Sequence, residues 1–566
     1  MLEALCQGEP TPERWRDIVE VLESLGPSVP RDRIERLNGF LAHWPDELRA
    51  TMCRLDWDER MVRGEADPRF RLFRHLKYDS IFIGRYTGIM MRSPKIPPGI
   101  IAATNAPSTW DQLAIINLQG QRLTTSDLHA LARARLPFLK ELVVEVPAGG
   151  AEMIALARWA PQLESLTISS PEGDALVSAL AQLSLPKLRH LDLDTTRLGD
   201  GAAIPRWNMP SLEELRFNGA PLSGAMVALA RWNHHLETLS FRNSGLDARA
   251  IRTLVTGALS ADRVDLFQNP IGDAGLVALG EFPCTSLTVR GCDVSDEGLA
   301  AFAKMELRRL AEFAIGPENY GDDPAAVPTG EGLLALLDAP HLERLQRLEY
   351  TGGFTTLRGR RLAQLEDLRL ETSRHCRGSA IDGAELGPQL GALKELHLSR
   401  VEKPAAFFSH RWVHGLERIF LRDTALEMHS MAALAKAEGL KWALLGHCGI
   451  DPQLLGVLLE SRARPKGLLL PGNPIGDRGA SMIAASDFVS QLERLGLHRT
   501  GITNEGAFAL ADSETLKHVE RVFLTGNAID EEAVDALARR LYQGWRALSV
   551  DTKTALLKSA PPRCCP

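Results

Sequence analysis

The stretch LLLPGNPIGDRGASMI, residues 468–483, decides the fold, because the same phrase returns as VDLFQNPIGDAGLVAL from Val264, LGLHRTGITNEGAFAL from Leu495 and VFLTGNAIDEEAVDAL from Val522. Its general form is LxxLxLxxNxIGD. Looser copies fill most of the rest of the chain at a period of roughly 24 to 27 residues, the signature of a stacked repeat. First leucines, or stand-ins for them, run from Leu113 through Leu236, Leu310, Leu416 and Leu440 to Val519. Together they predict about seventeen turns, closed by a partial turn at Trp545, Leu548 and Val550.

Each half of the phrase has a physical cause. LxL is a short strand whose successive side chains point to opposite faces, so Leu416, Ile419 and Leu421 turn inward and stack on the same set in the next turn. The Asn at the ninth position, as in Asn269, Asn473 and Asn527, carries an amide able to satisfy backbone groups where the chain leaves the strand. Thr196, Thr424, Thr500, Cys292 and Cys448 replace it elsewhere, and the two cysteines read as small buried residues. The IGDxGLxAL half places an Asp, Ser, Thr or Asn near a helix start and then apolar residues at helical spacing. The expected architecture is an α/β solenoid with a curved parallel sheet inside and helices outside.

These phrases resemble the ribonuclease-inhibitor-like class of leucine-rich repeats, which also occurs in Ran GTPase-activating proteins and in the sensor ends of NOD-like receptors. The resemblance covers roughly residues 109 to 551. It implies a protein-binding scaffold that does no chemistry itself, and it leaves the partner open. Some turns depart from the pattern. LESLTISSPEGDALVSAL lacks the Asn, and the turn from Leu345 carries Gly352-Gly353 where its strand should end.

The chain of 566 residues is 45% hydrophobic and 24% charged, as for a soluble globular protein. A net charge of -7 argues against general nucleic-acid binding, which needs a basic surplus. The first residues lack the charged and apolar regions of a secretory signal, and no apolar run is long enough to span a membrane, so a cytoplasmic location is expected. The scattered cysteines form no CxxC and no even framework, which predicts neither disulfides nor structural zinc. The excess of Arg over Lys and the plentiful Ala suggest a GC-rich bacterial source.

Residues 1–92 carry no repeat. Helical spacing around Glu13 to Leu25, Arg31 to Trp44 and Pro45 to Val62 predicts a small helical domain or cap. A Pro-rich connector follows over residues 93–108, the solenoid over 109–551 and a flexible tail over 552–566. Two turns are stretched, by an acidic, Gly/Pro-rich insert after Gly316 and by another after Glu371 that contains His375 and Cys376. No nucleotide-binding, hydrolase-elbow or zinc-protease motif occurs, and Cys53 and the terminal Cys564-Cys565 fit no nucleophile or prenylation box. No enzyme activity, cofactor or metal is expected.

Function is then expected on strand side chains that do not enter the core: the third, fifth, seventh and eighth positions of each turn, on the concave face. In the N-terminal turns these are chiefly acidic, with Glu141, Glu145, His190, Asp192, Asp194 and Glu214 relieved by Arg216, Arg242 and Arg263. Toward the C terminus they become basic and aromatic, with Glu395 and Asp423 the main opposing charges. Arg400 belongs to one turn, Arg418, Phe420 and Arg422 to the next, and Trp442 and His447 to the one after. Arg494, His498 and Arg499 follow, then Arg521 and Phe523. Arg and aromatic residues are the types that anchor protein interfaces. Seventeen strands about 4.8 Å apart make a surface on the order of 80 Å long, suited to a folded protein or long peptide rather than a small molecule. The expected partner is a protein with an acidic or mixed-charge surface, with no nucleic acid and no membrane. The alternatives are a regulator of a small GTPase or other signalling enzyme, and an effector acting in a host cell.

Overall fold

The computed structural model describes residues 2–50, 60–61, 67–77, 97–121, 123–146, 155–317, 330–353, 357–359, 361–372, 380–516, 519–541 and 547–549. Cys53, most of the insert after Gly316, His375 and Cys376, Trp545, Val550 and the tail with Cys564 and Cys565 lie outside the described residues. The chain forms two compact units, Met1–Pro270 with Phe282–Cys284, and Ile271–Glu281 with Thr285–Pro566.

In the first unit, strands pair in parallel and in chain order: His75–Lys77, Ile115–Asn117, Glu141–Glu145, Ser165–Ser170, His190–Thr195, Glu214–Asn218, His235–Arg242 and Ser260–Asp265. The first of these lies inside the segment expected to be helical. Upstream of it, helices Pro12–Leu25 and Arg31–Phe40 form where the spacing predicted them, and Thr11 caps the first by accepting a hydrogen bond from the Arg14 N–H. Trp15, Trp44 and Phe73 pack together, and the Trp15 indole donates to the Ala50 carbonyl at 2.7 Å. Ala50 in turn bridges to His75, so the helical region continues the first edge of the sheet. A buried ion pair fixes this region: the Asp67 carboxylate takes the Arg69 guanidinium at 2.6 Å, and Arg69 also donates to the Leu22 carbonyl at 2.8 Å.

In the second unit eleven strands of one parallel sheet are described, from Ser286–Arg290 and Glu312–Gly316 to Arg521–Phe523 and Ala547–Ser549. Successive strands pair residue on residue, so that Arg418, Phe420 and Arg422 stand beside Trp442, Leu444 and Gly446. Burial alternates along each strand. In Arg418–Arg422 the residues Ile419 and Leu421 are fully buried, while Arg418 and Arg422 are exposed. Helices such as Met428–Leu434, Pro452–Leu459, Gly476–Ala484 and Asn504–Asp512 complete the turns.

Two side-chain ladders stitch one turn to the next. Asn473, 1% exposed, accepts hydrogen bonds from the N–H groups of Cys448 and Ile450 and donates to the carbonyls of Leu445 and Leu470. Asn269 and Asn527 do the same in their turns. The second ladder belongs to the Asp of IGD. Expected near a helix start, it does not cap its own helix: Asp477 accepts from the N–H and hydroxyl of Thr503 and from the N–H of Gly506, and Asp273 binds Ser295 likewise. Each Asp therefore bonds the residue that opens the following turn's helix. This arrangement satisfies donors at the helix start that have no intrahelical partner.

Candidate functional site

The open strand face of the second unit changes character along the sheet. In its earlier turns charges neutralise one another. Arg290 pairs with Glu349, Arg347 with Asp367 at 2.7 Å, Arg369 with both Asp367 and Glu395, and Arg418 with Glu395 at 3.3 Å. Burial alone would raise the Glu395 carboxyl, but the hydrogen bond from His397 and the charge of Arg369 hold it below its ordinary value. His397 is itself pushed down by burial and by Arg369, against the pull of Glu395.

Further along the sheet lysines still pair, Lys441 with Glu417 and Lys466 with Glu493, but the arginines of this face do not. Among the described residues Arg400, Arg422, Arg494, Arg499 and Arg521 form no ion pair with a carboxylate. The central column of the face, set by strand register, reads Phe420, Leu444, Leu469, Gly496, Phe523. The four side chains are half-buried. Phe420 stacks on His397 with centroids 3.9 Å apart, and Phe523 meets His498 at 5.4 Å.

Glycines let the large groups lie flat. A Cβ on Gly467 would fall within 2.1 Å of the Trp442 ring, one on Gly496 would strike Leu469, and one on Gly472 would strike the His447 imidazole. Trp442 thus lies across the next strand, with the Arg494 guanidinium 5.3 Å from its ring centre.

All eleven residues expected on this face have exposed or half-buried side chains, so the alternation places none of them in the core. The sequence reading overlooked Leu444 and Leu469, which stand at the fifth, outward position of turns whose first positions are Leu440 and Pro465. The expected burial of Cys292 and Cys448 is found, at 1% and 0% exposed, and burial pushes the Cys448 thiol up to about 12. In the first unit the acidic residues are also outward, but partly self-paired: Glu214 binds His190 and Arg216, and Asp192 accepts from Asn218 at 2.9 Å.

Backbone conformation adds an observation no composition could give. In several turns the eighth position is left-handed, and where Gly219, Gly472 and Gly526 occupy it this is free of strain. Arg400, His447 and Arg499 hold the same conformation with φ of 54°, 52° and 52°. A side chain there costs stability that glycine would not, so these basic groups are retained at a cost. Replacing all three by glycine is expected to stabilise the fold by about 0.5 kcal/mol per position after glycine's greater unfolded freedom is deducted, while weakening partner binding. Urea unfolding and a binding titration on the same variant check it; a destabilised variant would remove the strain argument.

Among the described residues no three His, Cys, Asp or Glu side chains are grouped to hold a metal ion, and no helix is long and apolar enough to cross a membrane. The Leucine Rich repeat family model matches residues 263–280 and 285–303. No curated protein sequence matches the chain. Among solved structures, the TLR13–ssRNA13 complex contains a chain similar at 13% identity over 81% of this chain and 90% of its own, with a TM-score of 0.33. The mouse RP105/MD-1 complex aligns at 14% identity over 86% of this chain and 81% of its own, with a TM-score of 0.35. The complex of Rad7 and Elc1 in yeast aligns at 14% identity over 59% of this chain and 79% of its own, also at 0.35. Parallel strands in chain order, inward leucines and buried bridging asparagines, with the family's repeat at residues 263–303, make the fold a leucine-rich-repeat solenoid.

Proposed function

We propose that this protein is a non-enzymatic interaction scaffold that binds a protein of acidic or mixed charge through the strand face running from Glu395–Ser399 to Arg521–Phe523. One observation carries the reading. Among the described residues five arginines without a carboxylate partner border half-buried aromatic and leucine side chains, beside strands whose Arg290, Arg347, Arg369 and Arg418 pair with carboxylates within the chain. Arginine fixed near an apolar floor binds carboxylates in a forked geometry that lysine cannot reproduce, and tryptophan and arginine dominate measured interface energies. Repeat spacing and the strand–loop–helix turn support the ribonuclease-inhibitor-like class for the repeats.

The test is affinity capture from the native cell with the full chain and with a Trp442→Ala, Arg422→Ala variant. The double substitution is expected to weaken the partner by roughly 2 kcal/mol or more, since both side chains lie outside the core and the fold survives. Equal recovery of the same protein by both chains would move the site elsewhere. A captured nucleotide-hydrolysing enzyme whose turnover changed on binding would favour a regulator over a scaffold.

A further inference from the structure

We infer that the occupant of this face is an amphipathic α-helix of the partner, lying across the strands, with an apolar stripe bordered on both sides by Asp or Glu. The inference rests on the reading of the face as a protein-binding site and adds the shape of what binds. Its basis is the layout of charge around the apolar column.

Phe420, Leu444, Leu469 and Phe523 run perpendicular to the strands, one per turn. On one border stand Arg494 and Arg521, at the first residue of their strands. On the other stands Arg422, the last residue of its strand, with Arg400 one residue and Arg499 three residues past the ends of theirs. First and last residues of a five-residue strand lie about 13 Å apart at 3.3 Å per residue, and a helix with its side chains is about 10–12 Å wide. Four strand spacings separate Phe420 from Phe523, about 19 Å, which is the length of about 13 helical residues.

Arginines on both borders select between helix and extended chain. An extended peptide on a flat face points alternate side chains toward and away from it, so carboxylates between apolar anchors would face solvent. A helix with an apolar stripe presents its polar flanks to left and right of the contact, where these arginines are. The central column also argues against a single nucleic-acid strand, which needs free ring faces for its bases. Leu444 and Leu469 offer none, the Phe420 ring is stacked on His397, and the Trp442 ring faces Arg494.

The experiment pans a displayed library of random sixteen-residue peptides against the full chain, and in parallel against Leu444→Asp with Leu469→Asp. A second variant, Arg494→Glu with Arg521→Glu, alters only exposed side chains and guards against a folding defect. Circular dichroism verifies each chain. The expected result is a set of sequences with apolar residues at i, i+3 or i+4, and i+7, acidic residues on both flanks, and binding at least ten-fold weaker to either variant. Acid-rich sequences that lose binding to the variants but have no helical period would overturn the helix and leave the protein-binding face. No enrichment, or equal binding to all three chains, would overturn both. A twenty-nucleotide thymidine oligonucleotide that binds more tightly than the best peptide would replace the helix by a nucleic-acid strand.

Discussion

Replacing Asn473 by alanine is expected to destabilise the second unit by about 4 kcal/mol, since each buried polar group left without a partner costs roughly 1–3 kcal/mol. The side chain serves four backbone groups at once. It accepts from Cys448 and Ile450 at 2.9 and 3.0 Å and donates to Leu445 and Leu470 at 2.6 and 3.0 Å. Alanine fills none of these roles, and Asn473 is too deeply buried for water to replace it without opening the turn. Thr424, at the equivalent place, accepts from Val401 and donates to Arg422, so Thr424→Ala should cost about half as much. Hydrogen exchange at the Cys448 and Ile450 amides, with urea unfolding, is the measurement. A loss below about 1 kcal/mol for Asn473→Ala would mean that the ladder is ornamental.

Asp67→Ala is expected to cost about 3 to 5 kcal/mol in the first unit, the usual penalty for stranding one member of a buried ion pair. The Asp67 and Arg69 side chains are 2% and 3% exposed. Without the carboxylate, the guanidinium would retain the Leu22 carbonyl but no neutralising charge in that pair. The pair also sets a dependence on acid. Burial by itself would raise the Asp67 carboxyl, but hydrogen bonds from Arg69 and the charges of Arg69 and Arg60 outweigh it and hold the group below its ordinary value. A depressed folded pKa means that the stabilisation is complete above the unfolded value of about 3.9 and is lost as pH falls through the lower folded one. Asp46, held below its ordinary value by Arg74 and Lys140 against the effect of burial, acts in the same direction. Tryptophan fluorescence from Trp15 and Trp44 should therefore report acid unfolding in the wild type, with a shallower slope below pH of about 4 in Asp67→Ala. An unchanged slope would place the acid sensitivity elsewhere.

Much of the fold was legible from one phrase because its causes are local. A leucine at every second residue of a short strand, an asparagine at the turn and apolar residues at helical spacing are properties of some 25 consecutive residues, repeated until they stack. The eleven outward residues followed from the same counting. Strand His75–Lys77 escaped it because the segment carries no repeat phrase, and the sheet begins there only through its partner Ile115–Asn117. The Asp of IGD was read as belonging to its own helix, although its hydrogen bonds go to the next turn.

The sequence by itself determined the strand, the helix, the inward leucines and the sign of the charges that the outward positions carry in the N-terminal and C-terminal turns. Only the tertiary structure decided which charges cancel, since Arg369 meets Glu395 across 26 residues and Arg347 meets Asp367 across 20, while Arg494 and Arg521 meet no carboxylate among the described residues. It alone stacked the His397 ring on Phe420 and laid Trp442 flat over Gly467. The reason is that periodicity is written along the chain, whereas ion pairs and ring contacts depend on register between turns, which exists only once the turns have stacked.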